Sequence, residues 1–511
     1  NRDAGRAEIV RRARSRLAVG FGLLAAGLLG VATGEGAGNL GKEFWIGWPD
    51  TWLNSAEMII LTDAPRANVT ISGAFTASGT ATADSPLIIE VPPELEVRAN
   101  GEVENKGIHI AADAEVSVIF RTPAGEASTA DEAYLAIPTP SLGKNYVVLN
   151  YRGLSTFGYL FKTGYLVVGT QDNTTLNAAG TMVTLDTGQT FQRLFLFQDA
   201  TGARISSDKP IAVFVENLCP FVPENVRGCD PFLEQLLPVE ACGTEYLTAP
   251  LISPNSGDLI RILASQDATT VNVNDGTATN SFPLAAGRFV ELDTNLATRI
   301  TSDKPILVAQ YAKGQDASGS GDPFQMQVIP TGLFKTNYRF FVPAGYEQGN
   351  FATIIVPTRE TSVVVDGSPV TTGFTPLPGG GQFLQVQMTP GQHTVTATHA
   401  VGVYVHGYRE FSSYGYPTGF SLNLPPVADA GADQTVECAS PAGTSIALDA
   451  SGSRSPEGSP LTFTWAGPVG TLTGPKVTAT MPLGEHTIAL TVSDAKGRTA
   501  SDTVVFQRHR V

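Results

Sequence analysis

The chain has 511 residues, a formal charge of −15 and only 16% charged residues, a globular composition long enough for three or more domains with cores of their own. Its acidity argues against nucleic acid and anionic membranes as partners, more so once residues 1–34, with six Arg against Asp3 and Glu8, are set aside. Gly (53) and Pro (34) are plentiful and few stretches keep a 3.6-residue apolar period, so short strands and turns are expected, with very little helix.

Residues 1–34 read as an export signal. RRARSR (11–16) supplies the cationic region, residues 17–32 the apolar one, and Ala32-Thr33-Gly34 a small-residue cleavage site. The apolar run is short for a spanning helix, which usually needs about 20 residues, so no membrane insertion is expected after cleavage. An uncleaved anchor is the alternative. Either way the mature chain is expected outside the cell, secreted or on the surface.

After a glycine-rich stretch, LGKEFWIGWPDTW (40–52) opens the first of four repeated units. An aromatic opens each: Phe44, Tyr146, Tyr246 and Tyr338, roughly 100 residues apart, so the units start near 41, 143, 243 and 335. A Thr/Val-rich strand follows in each unit, at Asn68, Asp172, Asp267 and Glu360. A closing strand comes later: VSVIF (116–120), PIAVFV (210–215), PILVAQ (305–310) and VGVYVHGY (401–408). In the middle two units ISSDKPIAV (205–213) returns as ITSDKPILV (300–308), where proline suits a turn or the first residue of a strand.

The fold class read from this pattern is all-β, with four sandwich-like units in tandem over residues 40–424. A closed, propeller-like arrangement is the alternative, although conventional blades need only about 40–50 residues each.

Several residues invite a functional reading. Phe44, Trp45, Trp48 and Trp52 either form an exposed platform for sugar rings or plug a core between repeats, and the usual burial of large aromatics favours the core. An acid recurs ahead of an apolar stretch and a proline, as Asp131, Asp230 and Asp322. Three such carboxylates could ligate cations, but Asp also starts turns by accepting backbone N–H bonds, and the structural role is favoured. Asn68 and Asn173 lie in N-x-T sequons, which mark exposed edges or turns. His393, His399 and His406 share one unit, yet their spacing would align His393 and His399 only on an unbroken strand, and the sequence is expected to turn at residues 399–402.

Four cysteines fit an oxidising compartment. Cys219 and Cys229 are expected to pair across PFVPENVRG, a compact loop whose closure stabilises by about 2–3 kcal/mol. Cys242 and Cys438 either pair, if the C-terminal segment folds back on the repeats, or stay as buried thiols. No Cys-x-x-Cys occurs and no His stands at ligand spacing to a Cys, so no metal or cofactor is expected.

From about residue 40 to 424 the chain resembles the N-terminal domain of the IgG Fc-binding protein family, which also occurs in bacterial secreted proteins. The resemblance is carried by GKEFWIGWP, by ISSDKPIAVFVENLCPFVP with CDPFLEQLLPVEACGTEYLTAPL, and by SGDLIRILASQDATTVNV (256–273). It implies an extracellular binding or adhesive module without catalysis. Cys242 departs from the family pattern, which usually has another residue before that glycine.

Residues 425–508 resemble a PKD (polycystic-kidney-disease) domain, an immunoglobulin-like sandwich, through short alternating strands such as LTFTW and HTIALTV between Gly- and Pro-rich turns, with Trp465 expected in its core. Relatives carry an acidic turn that can hold calcium. Here residues 455–459 read Ser-Pro-Glu-Gly-Ser, two carboxylates short of that pattern.

No H-E-x-x-H, G-x-S-x-G or phosphate-loop pattern is present, and the six histidines are scattered. The function expected is therefore a secreted or surface adhesin-like protein that binds a glycoconjugate or a protein. A structural stalk without a discrete ligand, and a hydrolase with an unrecognised site, are the alternatives. Ligand identity and oligomeric state are left open by the sequence.

Overall fold

The recurring aromatic shows why each unit begins where it does. The Tyr146 hydroxyl accepts the Gly143 N–H (3.0 Å) and donates to the Ile211 carbonyl (2.7 Å). Tyr246 does the same between Gly243 and Ile306, and Tyr338 between Lys335 and Val401. Each phenol thus ties the first strand of its unit to the closing strand some 60 residues on, satisfying two backbone groups inside the core. Phe44 holds the same place in the first unit by burial alone.

The computed structural model describes residues 38–509 except 54, 124–130, 157–158, 253–256, 423–425, 438–442, 456–459, 469, 483 and 496. The expected leader (1–34), Cys438 and the 456–459 turn lie outside the described residues. Within them the chain is almost wholly strand, with one short α-helix at Gln315–Ser318 and four 3-10 turns.

In each unit one long path serves two sheets. In the first, Ile108–Thr122 pairs through its N-terminal half with Gly41–Ile46 and Ala67–Gly73, and through its C-terminal half with Ala56–Leu61 and Glu132–Leu135. Thr298–Tyr311 and Gly391–Arg409 repeat this in the third and fourth units. In the second unit the path is divided into Arg204–Ser207 and Ile211–Asn217. A strand passing from one sheet to another at a bend is the geometry of a sandwich corner.

That crossing explains the Asp-Lys-Pro motif. Asp208 and Asp303 each accept a backbone N–H from the neighbouring Thr/Val strand, at Thr175 and Thr270 (2.7 Å each), and Asp113 receives Asn68 N–H (2.8 Å) at the same place in the first unit. The Lys209 ammonium donates to the Asp172 and Asn173 carbonyls, and Lys304 to those of Asp267 and Ala268. These carbonyls are turned outward because Asn173 (φ 54°) and Ala268 (φ 52°) are left-handed. In the third unit the motif sits inside a continuous strand, with Pro305 between two ladders where no donor is needed. Lys209→Met is expected to lower stability by about 1 kcal/mol, the worth of an exposed charge-assisted bond, seen as a lower urea midpoint at unchanged slope. The expected turn at 399–402 is likewise a crossing within one 19-residue strand, because residues there change sheets without leaving extended backbone.

The four units meet. Glu132–Leu135, Phe232–Gln235, Gln325–Val328 and Ser412–Pro417 contact one another in cyclic order, the last against the first. Ile137 N–H donates to Gln235 Oε1 (2.8 Å) and Leu237 N–H to Gln327 Oε1 (3.3 Å), a step repeated from unit to unit. Val103–Glu104 of the first unit also adds an edge strand to the second. The ring closes where Gly38 bridges Ser421 and Asn39 N–H donates to Phe420 O (3.0 Å). In the first three units a glycine lies against a proline: a Cβ on Gly41, Gly143 or Gly243 would come within 2.4–2.5 Å of Pro138, Pro238 or Pro330. At this position the fourth unit has Lys335, buried, whose Nζ donates to Asn39 Oδ1 (3.1 Å). The architecture is thus four sandwiches that also close on one another. Packing joins residues of all four units in one core, with further cores within the second unit and at its seam with the third.

Residues 426–509 form a separate sandwich core around Trp465, 1% exposed, whose indole N–H donates to Gly474 O (3.0 Å). Its sheets are Gln434–Glu437, Thr499–His509, Gly484–Asp494, Leu461–Gly467 and Gly470–Thr473 in one, and Thr444–Asp449 with Lys476–Met481 in the other. Arg454 reaches the ring at the Pro140 carbonyl (3.2 Å).

Candidate binding face

The strand directions bring one set of loops from every unit to a single end of the ring. In the second unit the segment before Thr163–Gly169, the end of Thr190–Phe195 and the loop after Ile211–Asn217 all lie there, since Thr163 pairs with both Phe195 and Asn217. The corresponding pairings hold in the other units.

Cys219 and Cys229 are joined, with Cα atoms 4.8 Å apart, and close the loop that follows Ile211–Asn217. Its Val222 is fully buried in the seam with the third unit, and Arg227 pairs with Asp316 (2.9 Å) from that unit's own loop. The loop is therefore fixed at both ends and across its width. Cys242 is unbonded, and burial pushes its thiol well up.

Beside this loop a cleft of about 300 Å³ is lined by Arg152, Gly153, Leu154, Phe197, Phe221 and Glu224. Phe197 is 53% exposed and Trp52 46%, and Trp52 packs on Phe161 (centroids 5.5 Å apart), whose N–H donates to Leu154 O (2.8 Å). Both exposed rings stand on left-handed backbone, Trp52 at φ 61° and Phe197 at φ 58°. Such a conformation costs a bulky L-residue roughly 1–3 kcal/mol, and exposure means burial does not offset it. Trp52→Gly is accordingly expected to leave thermal stability within about 1 kcal/mol of the parent, since relief of the left-handed backbone offsets glycine's greater freedom when unfolded. A loss of several kcal/mol on calorimetry would show that Trp52 is a core residue after all.

The early aromatic cluster thus divides. Phe44, Trp45 and Trp48 are core residues, 0–6% exposed, while Trp52 is not. Phe161, Phe197 and Phe221 were not singled out from the sequence. The one signal for Phe197 is the run Leu194-Phe195-Leu196-Phe197, too continuously apolar for a strand with one wet face.

The recurring acids converge under these loops, each just before a ring strand. Asp131 receives Arg121 Nε (3.1 Å) and the Tyr346 hydroxyl. Asp230 accepts Ser413 N–H (3.4 Å), and burial, then the charges of Asp322 and Asp131, hold its carboxyl well above the usual range. Burial pushes Asp322 up to about 6, and Glu132 well above its ordinary value. Asp131 and Asp230 are each 1% exposed, so these carboxyls organise the floor of the face and do not reach solvent. Among the described residues no group of three His, Cys, Asp or Glu is placed to hold a metal.

The histidines stay apart. His393 bonds Asp366 (2.7 Å), His399 lies by Thr361 (3.5 Å), and His406 is fully buried against Phe324, Phe351 and Tyr408, where burial lowers it to about 3. Asn68 and Asn173 are both exposed. No helix among the described residues is long and apolar enough to cross a membrane.

The family model described as IgGFc binding protein matches residues 132–407, more than half of the chain, and the PKD domain model matches residues 423–508. Neither is an enzymatic domain. The human IgGFc-binding protein is 27% identical over 229 residues, 43% of this chain and 4% of its own length. The chain therefore spans a small part of that relative. Among solved structures, immunoglobulin domains 1–5 of Sidekick-1 cover 92% of this chain and 100% of their own at 12% identity and a TM-score of 0.15. A Ca²⁺-stabilised adhesin of an Antarctic bacterium covers 92% and 99% at 11% identity and a TM-score of 0.15. Superposition at this level carries no argument. The match over residues 132–407, joined to a ring that the sequence repeats build from residue 38 onward, makes this chain a member of the IgGFc-binding protein family with a PKD domain on its C-terminal side.

Proposed function

We propose that the chain is a secreted or cell-surface binding protein, non-catalytic, that recognises a glycoconjugate or protein ligand through the loop end of its ring. In this reading residues 1–34 direct export, 40–424 form the binding module, and 425–508 serve as spacer or second contact. The observation that carries it is the pair of exposed aromatics, Trp52 and Phe197, held on left-handed backbone beside a cleft. Strain that is not repaid by burial is characteristic of ligand contacts. The braced loop supports this reading, because a fixed face loses less entropy on binding.

The test is binding of residues 38–511 to an array of glycans, mucins and immunoglobulin Fc, Fc being included because the human relative is named for it. Saturable binding that weakens when Trp52 or Phe197 is changed to alanine is expected. Silence across the array would favour a structural extracellular element instead.

A further inference from the structure

The cleft beside the disulfide loop has the chemistry of a particular ligand. Its apolar surface comes from the Phe197 and Phe221 rings together with Leu154, and the Trp52–Phe161 pair is tied to it by the Phe161 N–H donating to Leu154 O. Its polar groups are a single ion pair, Arg152 Nη1 to Glu224 Oε2 at 3.5 Å, both side chains about half exposed (51% and 54%). Flat rings suit the C–H faces of a pyranose, and a paired guanidinium and carboxylate offer donors and acceptors to neighbouring hydroxyls without leaving a net charge to be matched. The chain as a whole carries −15, which repels sialylated, sulfated and uronic acid sugars. At about 300 Å³ the cleft stands at the small end of the range for small-molecule sites, and it is open at the surface as the end of a chain would require.

We infer that this cleft takes a neutral hexose unit of a glycan, stacked on the aromatic rings and hydrogen-bonded by Arg152 and Glu224. The inference rests on the binding-face reading above and narrows it to one ligand chemistry at one place.

Trp52 supplies the probe. The other three tryptophans, Trp45, Trp48 and Trp465, are 6%, 0% and 1% exposed, so acrylamide quenching of intrinsic fluorescence reports Trp52 nearly alone. Titration of residues 38–511 with cellobiose, chitobiose, lactose and maltose is expected to give saturable protection from acrylamide for at least one sugar, with a dissociation constant on the order of 1 mM, usual for a single shallow subsite. Phe197→Ala and Arg152→Ala, both exposed positions, are expected to weaken that protection at least tenfold while leaving the thermal transition in place.

If no sugar of the panel protects Trp52, yet the array finds a glycan-free protein that does, the hexose inference is overturned and the binding face stands. If neither protects and the array is silent, both fall. Protection that survives in Phe197→Ala and Arg152→Ala alike overturns the placement in this cleft.

Discussion

Replacing Arg261 by alanine is expected to destabilise the ring by about 3 kcal/mol, because one side chain fastens the seam between the second and third units in three ways at once. Its guanidinium lies 3.9 Å from the Tyr151 ring and 4.5 Å from that of Phe289, pairs with Asp199 (2.6 Å) and Glu291 (2.7 Å), and donates to the Asn150 carbonyl (2.7 Å). The arginine is 4% exposed, whereas its acidic partners are 23% and 33% exposed and regain water once it is gone. That places the loss near the lower end of the roughly 3–5 kcal/mol typical of breaking a buried pair. Arg261→Lys keeps the charge but not the planar fork, and is expected to recover less than half of the loss. Urea unfolding of both variants checks this. A loss under about 1 kcal/mol for alanine would mean that the seam is held by its apolar residues alone.

Stability is expected to fall as pH rises from 4 to 8, the opposite of common acid denaturation. Burial pushes Asp258 up to about 7 and Asp50 and Asp322 up to about 6, and holds Glu132, Glu216, Asp230 and Glu234 well above their ordinary range. An acid raised on folding contributes stability that is complete below its unfolded value, near 4, and is lost as pH climbs through the folded one. For Asp258 the rise from 3.8 to about 7 corresponds to about 4 kcal/mol. Other groups act the other way, though the exposed carboxyls of Asp113, Asp172 and Asp275, lowered by hydrogen bonds, matter only below pH 4. His406, lowered to about 3, loses stability as pH drops below 6.5, about 2 kcal/mol by pH 5, and Asp449, lowered to about 2 in the C-terminal sandwich, matters only below pH 4. Seven raised carboxyls outweigh one histidine, so the ring should melt at a higher temperature at pH 5 than at pH 8. Asp258→Asn, which keeps a bond from Leu251 N–H, is expected to flatten the profile between pH 5 and 8. A wild-type melting temperature that rises with pH would contradict the assignment.

Much of this fold was legible because its chemistry repeats. Tyrosine hydroxyls, crossing-point carboxylates and glycine-on-proline contacts recur with the same residue types at the same places, so a reader of the sequence meets each device two or three times. What could not be read is what happens once. Lys335 and Asn39 stand 296 positions apart, and nothing local to either announces the other. The convergence of Asp131, Asp230 and Asp322 likewise depends on ring closure, a property of the assembly and not of any unit. Trp52 shares a stretch with three buried aromatics, and its left-handed backbone and exposure set it apart only in the folded chain. Phe197 follows a strand whose apolar residues look like more core. The exposed rings of the binding face are therefore not announced by the repeat, although the acids beneath them are.

The closure at Gly38 and Ser421 has a mechanical consequence. The segment entering the ring and the segment leaving it are hydrogen-bonded to each other, Asn39 N–H to Phe420 O at 3.0 Å and Phe420 N–H to Asn39 Oδ1 at 3.2 Å. A pull exerted between the two flanks is expected to load those few bonds and the Lys335–Asn39 contact before it reaches the strands of the four sandwiches. The ring hangs beside the line of tension like a bead on a taut thread, so its loop end keeps its shape while the chain is under load. Only when the seam parts would the units be drawn into series, releasing close to 380 residues of slack in discrete steps.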